Sequence, residues 1–367
     1  MKSYYSLGLM SGTSADGVDA SVIQSNGDTE YKVILEKYFK YSQNIYENIH
    51  DFKEKINNSK DLGNFSKIIQ SIEKEITLFH VDVVNQIIKE VQSNIDFLGF
   101  HGQTIFHNAK EKISKQLGDG KLLSKLTNKT VIYDFRQNDL KNGGQGAPLT
   151  PIFHKLLKKK FKIKEATFVN IGGITNITTI SNKDNMLGTD IGPGMCLIDR
   201  WVRKKSKINY DKNGIIAKSG KVNRKALNQL LDNFYKKQNV LNTSIVQSFD
   251  TKFFDFSFIK NLSLEDGAAT LTEFTAQIII SALKIKDYNK KKIILCGGGR
   301  KNNFLVEKLK KQNEVIQLID EYGVDGDFVE SQAFAFLAIR SYLKKPISFP
   351  TTTGCSVPCT GGIIIKS

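Results

Sequence analysis

The sequence predicts an α/β protein of two domains, on three observations. At 367 residues the chain is long enough for about two domains with ample cores. A strand, a turn of small residues and a second strand occur in that order twice, around Ser11–Ala20 and around Gly172-Gly173. After each, short apolar strands alternate with helical patterns. The expected division is 1–164 and 165–367, with a ligand gripped in a central cleft between the two hairpins.

The first hairpin organises the chain. Tyr5, Leu7 and Leu9 alternate into it and Val18, Ala20 and Val22 alternate out, which is strand periodicity. Between them lie Ser11, Gly12, Thr13 and Ser14, then Ala15 and the turn pair Asp16-Gly17. Such a turn lets backbone amides and hydroxyls approach an anion without side-chain bulk. Asp16 and Asp19 would repel that anion unless a divalent cation sat between them, a need Mg²⁺ meets. An ordinary β-turn that binds nothing is the plainer reading, and local grammar leaves both open.

Tyr31–Tyr38 reads as a third strand, and apolar residues from Phe65 to Val91 recur at helical spacing. Ile95–Phe100 is a short strand ending in His101-Gly102-Gln103-Thr104, and Thr130–Asp134 is another, continued by Phe135-Arg136 and the loop NGGQGAPL. Pro148 and Pro151 bracket the next helix start. The second cycle runs through strands Ala166–Asn170, Ile174–Ile180 and Met186–Asp190, then Gly192-Pro193-Gly194 and a helix with Leu197, Ile198, Trp201 and Val202. The polar segment from Lys204 to Asp266 reads as an insertion with two short helices. A helix around Leu271–Ala282, a buried strand Lys292–Leu295, a helix from about Asn303, a strand near Val315–Leu318 and a helix Val329–Leu343 follow. The tail is loop and then strand.

Net charge is +16, with lysine supplying most of the excess. The basic runs Lys155–Lys164 and Lys290–Lys292 lack the spaced aromatics of a nucleic-acid platform, so no nucleic-acid partner is expected. The first run reads as the polar side of a helix. Cys196, Cys296, Cys355 and Cys359 form no CxxC pair, and no histidine follows the last two, which argues against zinc. A reduced, cytoplasmic protein with no membrane association is the expectation. The N-terminal YYSLGLM reads as a first strand rather than a signal peptide.

Common nucleotide signatures are absent: Gly120-Lys121 and Gly220-Lys221 lack the following hydroxyl of a Walker A run. Asp190 sits at a strand end before Gly192-Pro193-Gly194 and a helix start. There it is either a general base near an anion held by helix amides, or simply a cap. His101, His107 and His154 lack metal-ligand spacing and read as hydrogen-bonding groups. Asp134 and Arg136 alternate at a strand end, as an ion pair or as substrate contacts. Glu330 lies in the first turn of the last helix, where dipole compensation alone explains it.

Taken together, GLMSGTSADGVDA from Gly8, FHGQTIFH from Phe100, DFR at Asp134 and GGQGAPLTPIFH from Gly143 resemble the anhydro-N-acetylmuramic acid kinases. So do NIGGITNIT from Asn170, GTDIGPG from Gly188, CGGG from Cys296 and VESQAFAFLA from Val329. This family is a branch of the sugar kinase, heat-shock ATPase and actin superfamily. The resemblance implies two actin-like (ribonuclease H-like) domains, ATP and Mg²⁺ as cofactors, a small anhydro-amino sugar as substrate and a homodimer. It implies that the 1,6-anhydro ring is opened by water while the 6-oxygen is phosphorylated, with Asp190 as base, in peptidoglycan recycling. Gly12, Thr13, Ser14, Ala15, Asp16, Gly17, Val18, Asp19, Gly172 and Gly173 would hold the phosphates, Asp16 the metal, and Gly297 and Gly298 the adenosine side. His101, Gln103, Thr104, Asp134, Arg136 and Glu330 would meet the sugar. Met195 stands where the family usually has Asn, and Ala15 where Leu is usual. A levoglucosan-type kinase and a non-catalytic actin-like nucleotide binder are the alternatives.

Overall fold

The computed structural model describes residues 2–240, 247–285 and 291–367, so Lys290 of the second basic run lies outside the described residues. Its contacts fall into two compact units, Met1–Lys160 with Asp327–Ser367, and Phe161–Gly326. The final segment therefore packs with the first unit, whereas the sequence pattern assigned all of 165–367 to the second.

The first unit holds a seven-stranded sheet. β1 (Tyr4–Ser11), β2 (Gly17–Ser25) and β3 (Tyr31–Lys40) form an antiparallel meander. β4 (Phe97–Asn108) pairs parallel with β1 and with β6 (Thr130–Tyr133), while β5 (Ile113–Leu117) pairs antiparallel with β4. The terminal strand Ile363–Ile365 closes the edge on β6. His101–Thr104 thus lies inside β4, not beyond its end, because β5 takes over the pairing from Gln103 onward. The first turn also differs from a two-residue Asp-Gly hairpin. β1 stops at Ser11 and β2 starts at Gly17, and the left-handed position is Ala15 (φ 52°), whose N–H donates to the Gly12 carbonyl at 3.1 Å.

The helix Ser66–Glu90 buries Ile69, Ile72, Ile76, Val83, Val84 and Ile87 at the expected spacing. The helix Val329–Tyr342 is apolar nearly all round, with Val329 and every residue from Ser331 to Ser341 buried, which is the pattern of a helix enclosed by its own domain. It lies directly on β1 and β4. A Cβ built on Gly8 would meet the Ser331 carbonyl oxygen at 1.9 Å, and one on Gly99 would meet the Phe334 carbonyl oxygen at 2.4 Å. In the preceding helix Pro151–Lys160, Lys158 is buried, so the basic run there is not wholly a polar face.

The second unit repeats the strand order. β7 (Ala166–Ile171), β8 (Ile174–Ile180) and β9 (Met186–Pro193) form the antiparallel meander. β10 (Lys292–Cys296) and β11 (Ile316–Leu318) add in parallel on the far side of β7. Both sheets place the first strand of their hairpin centrally and continue with a parallel strand beside it, the ribonuclease H-like order. The segment after Lys204 is not polar throughout: Phe234, Phe249, Phe254 and Phe256 join Trp201 and Phe274 in an apolar cluster. Its helix Arg224–Val240 is seventeen residues long.

Gly8→Ala should lower stability by about 3 kcal/mol or more, since the obstacle is helix backbone that cannot rotate away. Gly63→Ala, in the short helix Ser59–Asn64, meets nothing within 4 Å and should stabilise by about 0.5–1 kcal/mol through helix propensity. Urea unfolding of the two variants beside the parent checks both signs.

Candidate functional site

In the first unit the hairpin tip is held from beneath. Gln103, fully buried in β4, accepts from the Ser11 hydroxyl at 2.6 Å through Oε1, and its Nε2 donates to the Gly12 carbonyl at 3.1 Å. Tyr41 donates to Ser11 Oγ at 3.1 Å. Gln103 therefore supports the turn backbone, and Thr104 beside it accepts from Gln116 Nε2 at 3.2 Å. Thr13, Ser14 and Asp16 are exposed, while Val18 is buried in the core. The Ser14 hydroxyl donates to Asp16 at 2.6 Å, and Asp19 is half-buried. Both carboxylates reach Tyr38: burial first, then the charges of Asp16 and Asp19, raise its phenol above the ordinary value. The helix Gln43–Lys55, not among the elements expected from the sequence, touches the same loop. From it His50 Nε2 meets the Ser14 carbonyl at 2.9 Å and Lys53 Nζ donates to the Thr13 carbonyl at 3.3 Å.

Arg136 is committed to His101 and to the GGQGAP loop. Its Nη1 donates to the Gly146 carbonyl and its Nη2 to His101 Nε2, both at 2.8 Å. His101 Nε2 therefore accepts, and the ring's proton sits on Nδ1, which donates to the Gly102 carbonyl at 2.7 Å. Burial, and then Arg136, hold this imidazole neutral, well below its ordinary pKa. Asp134 follows the end of β6 with φ 56°, and burial raises its carboxyl against the pull of Lys141 and Lys115. Glu330 sits half-buried in the first turn of the helix Val329–Tyr342, as its sequence position implied.

In the second unit Asp190 lies within β9 and is 8% exposed. Its Oδ2 accepts from the Phe249 N–H at 2.9 Å, and its own N–H donates to the Gln247 carbonyl at 3.0 Å. It is not the helix cap, since that position falls on Met195. Nor do the amides beside the helix start remain for an anion. Gly194 and Cys196 donate to the Gly173 carbonyl at 3.0 and 3.2 Å, and Met195 to the Gly172 carbonyl at 2.8 Å. Gly194 must be glycine for this, because a Cβ would meet Gly172 O at 2.2 Å. The Met195 side chain packs against both apolar clusters of the unit, which accounts for an apolar residue there. The Phe249 and Gln247 partners left no signal in sequence, being backbone groups of a remote segment.

Gly297 (φ 79°) and Gly299 are fixed by packing against Asn170 and Ile171. Arg300 is 5% exposed and forms a bidentate pair with Asp320, 2.8 Å at each contact, plus Asp325 at 3.1 Å, anchoring the turn after β10. Gly298 differs: a Cβ there would meet nothing within 4 Å. Gly12 and Gly172 are nearly as open, with nearest atoms at 3.9 and 3.4 Å. None of the three has a φ that requires glycine. The protein's own packing does not explain them.

Two units of ribonuclease H-like strand order, each opened by a hairpin with a glycine at its tip, are the architecture of the actin-like phosphotransferase and ATPase class. The sequence profile described as anhydro-N-acetylmuramic acid kinase matches residues 4–367. A relative from Pelagibacter ubique (strain HTCC1062), named anhydro-N-acetylmuramic acid kinase, is 52% identical over 100% of this chain and 99% of its own. Relatives of the same name from Zymomonas mobilis and Brucella canis are 36% and 33% identical, covering 98% of each chain. The chain belongs to the anhydro-N-acetylmuramic acid kinase family.

Buried imidazoles give the protein a pH signature. Burial lowers His80 and His107 from 6.5 to about 4 and His154 to about 3. The unfolded chain then binds more protons than the folded one below pH 6.5, so stability is complete above that value and falls on acidification. His80→Gln should flatten the slope between pH 6.5 and about 4 by about 1.4 kcal/mol per pH unit. Denaturant titrations across that range measure it.

Proposed function

We propose that this chain uses ATP and water to convert 1,6-anhydro-N-acetylmuramic acid into N-acetylmuramate 6-phosphate and ADP, in cell-wall recycling. The observation that carries this is the family match over residues 4–367 together with a buried carboxylate, Asp190, held at one oxygen by a backbone N–H. The full-length match does not favour a levoglucosan-type kinase or a non-catalytic binder.

Asp190 takes a proton from a water molecule as that water attacks the anomeric carbon. The bond from that carbon to the bridging oxygen breaks, and strain release in the bicyclic sugar helps the oxygen to leave. The freed 6-oxygen attacks the γ-phosphorus and ADP departs with the bridging electron pair. The Phe249 N–H bond fixes the orientation of the Asp190 carboxylate. Positioning and electrostatics dominate phosphoryl transfer. The open glycines Gly12, Gly172 and Gly298 are where phosphate and adenosine groups can approach the backbone, with Thr13 and Ser14 exposed beside the first. The remaining expected residues of that hairpin, Ala15, Gly17 and Val18, are buried and shape the turn. The hard carboxylate oxygens of exposed Asp16 would suit Mg²⁺. When bound, it neutralises charge on the phosphates. We assign Thr104, Asp134 and Glu330 to the sugar, and His101, Gln103 and Arg136 to holding the loops that flank it. A cytoplasmic homodimer completes the reading; among the described residues no helix is long and apolar enough to cross a membrane.

The test is ADP release with ATP and Mg²⁺ in the presence of 1,6-anhydro-N-acetylmuramate, levoglucosan or no sugar. Turnover is expected with the muramate sugar, and turnover with levoglucosan alone would overturn the assignment. Asp190→Asn keeps an acceptor for Phe249, so it should retain ATP binding while turnover falls about 10²- to 10⁴-fold. Unchanged turnover would remove Asp190 from the role of base. Gly298→Ala should leave unfolding unchanged but weaken ATP binding at least tenfold, read by calorimetric titration.

A further inference from the structure

Three potential metal ligands that are far apart in sequence converge in the first unit. Asp139, Cys355 and Cys359 are all buried, and one ligand atom from each lies within 4.8 Å of the others. Both thiols are free. Asp139 sits in the short helix Gln137–Lys141, just ahead of the GGQGAP loop, and the cysteines belong to the tail TTTGCSVPC. The tail is bonded to that loop already. Gln145 N–H donates to the Thr353 carbonyl at 2.7 Å, Ser356 N–H to the Asn142 carbonyl at 3.0 Å, and Thr353 Oγ1 to Asp139 Oδ1 at 2.6 Å.

We propose that Asp139, Cys355 and Cys359 bind a thiophilic divalent cation of the zinc class, clamping the tail to the GGQGAP loop. Two sulfurs and a carboxylate oxygen are a borderline-soft donor set suited to tetrahedral Zn²⁺. With Zn–S bonds of about 2.3 Å, two coordinating sulfurs stand ~3.8 Å apart, which the observed spacing accommodates with small side-chain rotations. Cys-x3-Cys is within the usual range for a ligand pair. The third ligand comes from over two hundred residues away, so the sequence spacing alone argued against zinc. Asp139 Oδ1 accepts from Thr353 and Oδ2 from the Gly146 N–H at 2.7 Å, and the carboxylate also meets the Cys355 thiol. Each carboxylate oxygen has a second lone pair, and those bonds orient the carboxylate as outer partners do in metal sites. Ser356, Val357 and Pro358 between the cysteines are exposed, giving the ion a short path from solvent. Water supplies the fourth position. On binding, two S–H bonds break, two metal–sulfur bonds and one metal–oxygen bond form, and two protons pass to solvent. Burial raises both thiols, Cys359 to about 11, so the ion must displace protons that the empty site retains.

The experiment titrates the reduced full-length protein with Co²⁺ and then Zn²⁺, following thiolate-to-metal absorption in the near ultraviolet and tetrahedral bands in the visible. The expected result is one Co²⁺ per chain, release of two protons and displacement by Zn²⁺. Cys355→Ser and Cys359→Ser should each lose the thiolate band of this site, while Cys196→Ser retains it. Alkylation of Cys355 and Cys359, read by peptide mass, should slow at least tenfold with Zn²⁺, while that of Cys196 does not. No band in the reduced parent, a band that survives in both tail variants, or alkylation indifferent to Zn²⁺ would each overturn the proposal.

Discussion

The first unit depends on one backbone contact: the helix Val329–Tyr342 pressed against β1 and β4 where Gly8 and Gly99 carry no side chain. Because the helix backbone itself fills the space of the absent Cβ atoms, no rotamer change can accommodate a larger residue. Small residues on the helix, Ala335 and Ala338, belong to the same close approach. Ser331 continues it by bonding the Ser21 hydroxyl on β2 at 2.6 Å. This contact ties the chain's final segment, Asp327–Ser367, to the first unit. A reading that advances along the chain assigns each new helix to the domain just built, and only packing shows the return.

In the second unit the corresponding constraint is carbonyl-directed. Gly172 and Gly173 turn their carbonyls toward the N–H groups of Gly194, Met195 and Cys196, tying the hairpin to the start of the helix Cys196–Lys205. A helix start whose amides are satisfied in this way is a weak anion site, whatever its dipole. What the tie achieves is placement, since Asp190 lies four residues before Gly194 on the strand it secures. A second bond, from the Phe249 N–H, fixes the carboxylate itself. The Met195 side chain faces the apolar clusters, so a polar amide at that position would lose packing.

The hairpin strands were legible because each is short and bounded by turn residues. β1 and β2 lie where alternation placed them, and β7 and β8 where the strands flanking Gly172-Gly173 were expected. The helix Ser66–Glu90 was legible through the helical spacing of its apolar residues. The segment after Lys204 misled because its aromatic residues are separated by lysines, which gives a polar average although Phe234, Phe249, Phe254 and Phe256 all point into one cluster. At the site, the residue types were legible and their partners were not. Asp190 stood out by its place before Gly-Pro-Gly, while the groups that hold it are backbone atoms of Gln247 and Phe249, which carry no side-chain signature.

The motif residues of the first unit reach mainly for one another. Gln103 of HGQT holds Ser11 and Gly12 of the opening turn, Arg136 of DFR holds His101 and the Gly146 carbonyl, and Asp139 holds the Gly146 N–H. Each long motif is thus partly a set of hydrogen bonds between loops, which explains why so many polar residues in it are buried. Side-chain groups that clamp backbone in this way must be neutral or fully paired to avoid a desolvation cost. His101 meets that requirement by staying neutral, while Arg136 gives one Nη1 and one Nη2 donor to a carbonyl and a ring nitrogen. A substitution at Gln103 or Arg136 would therefore release the loops these residues hold.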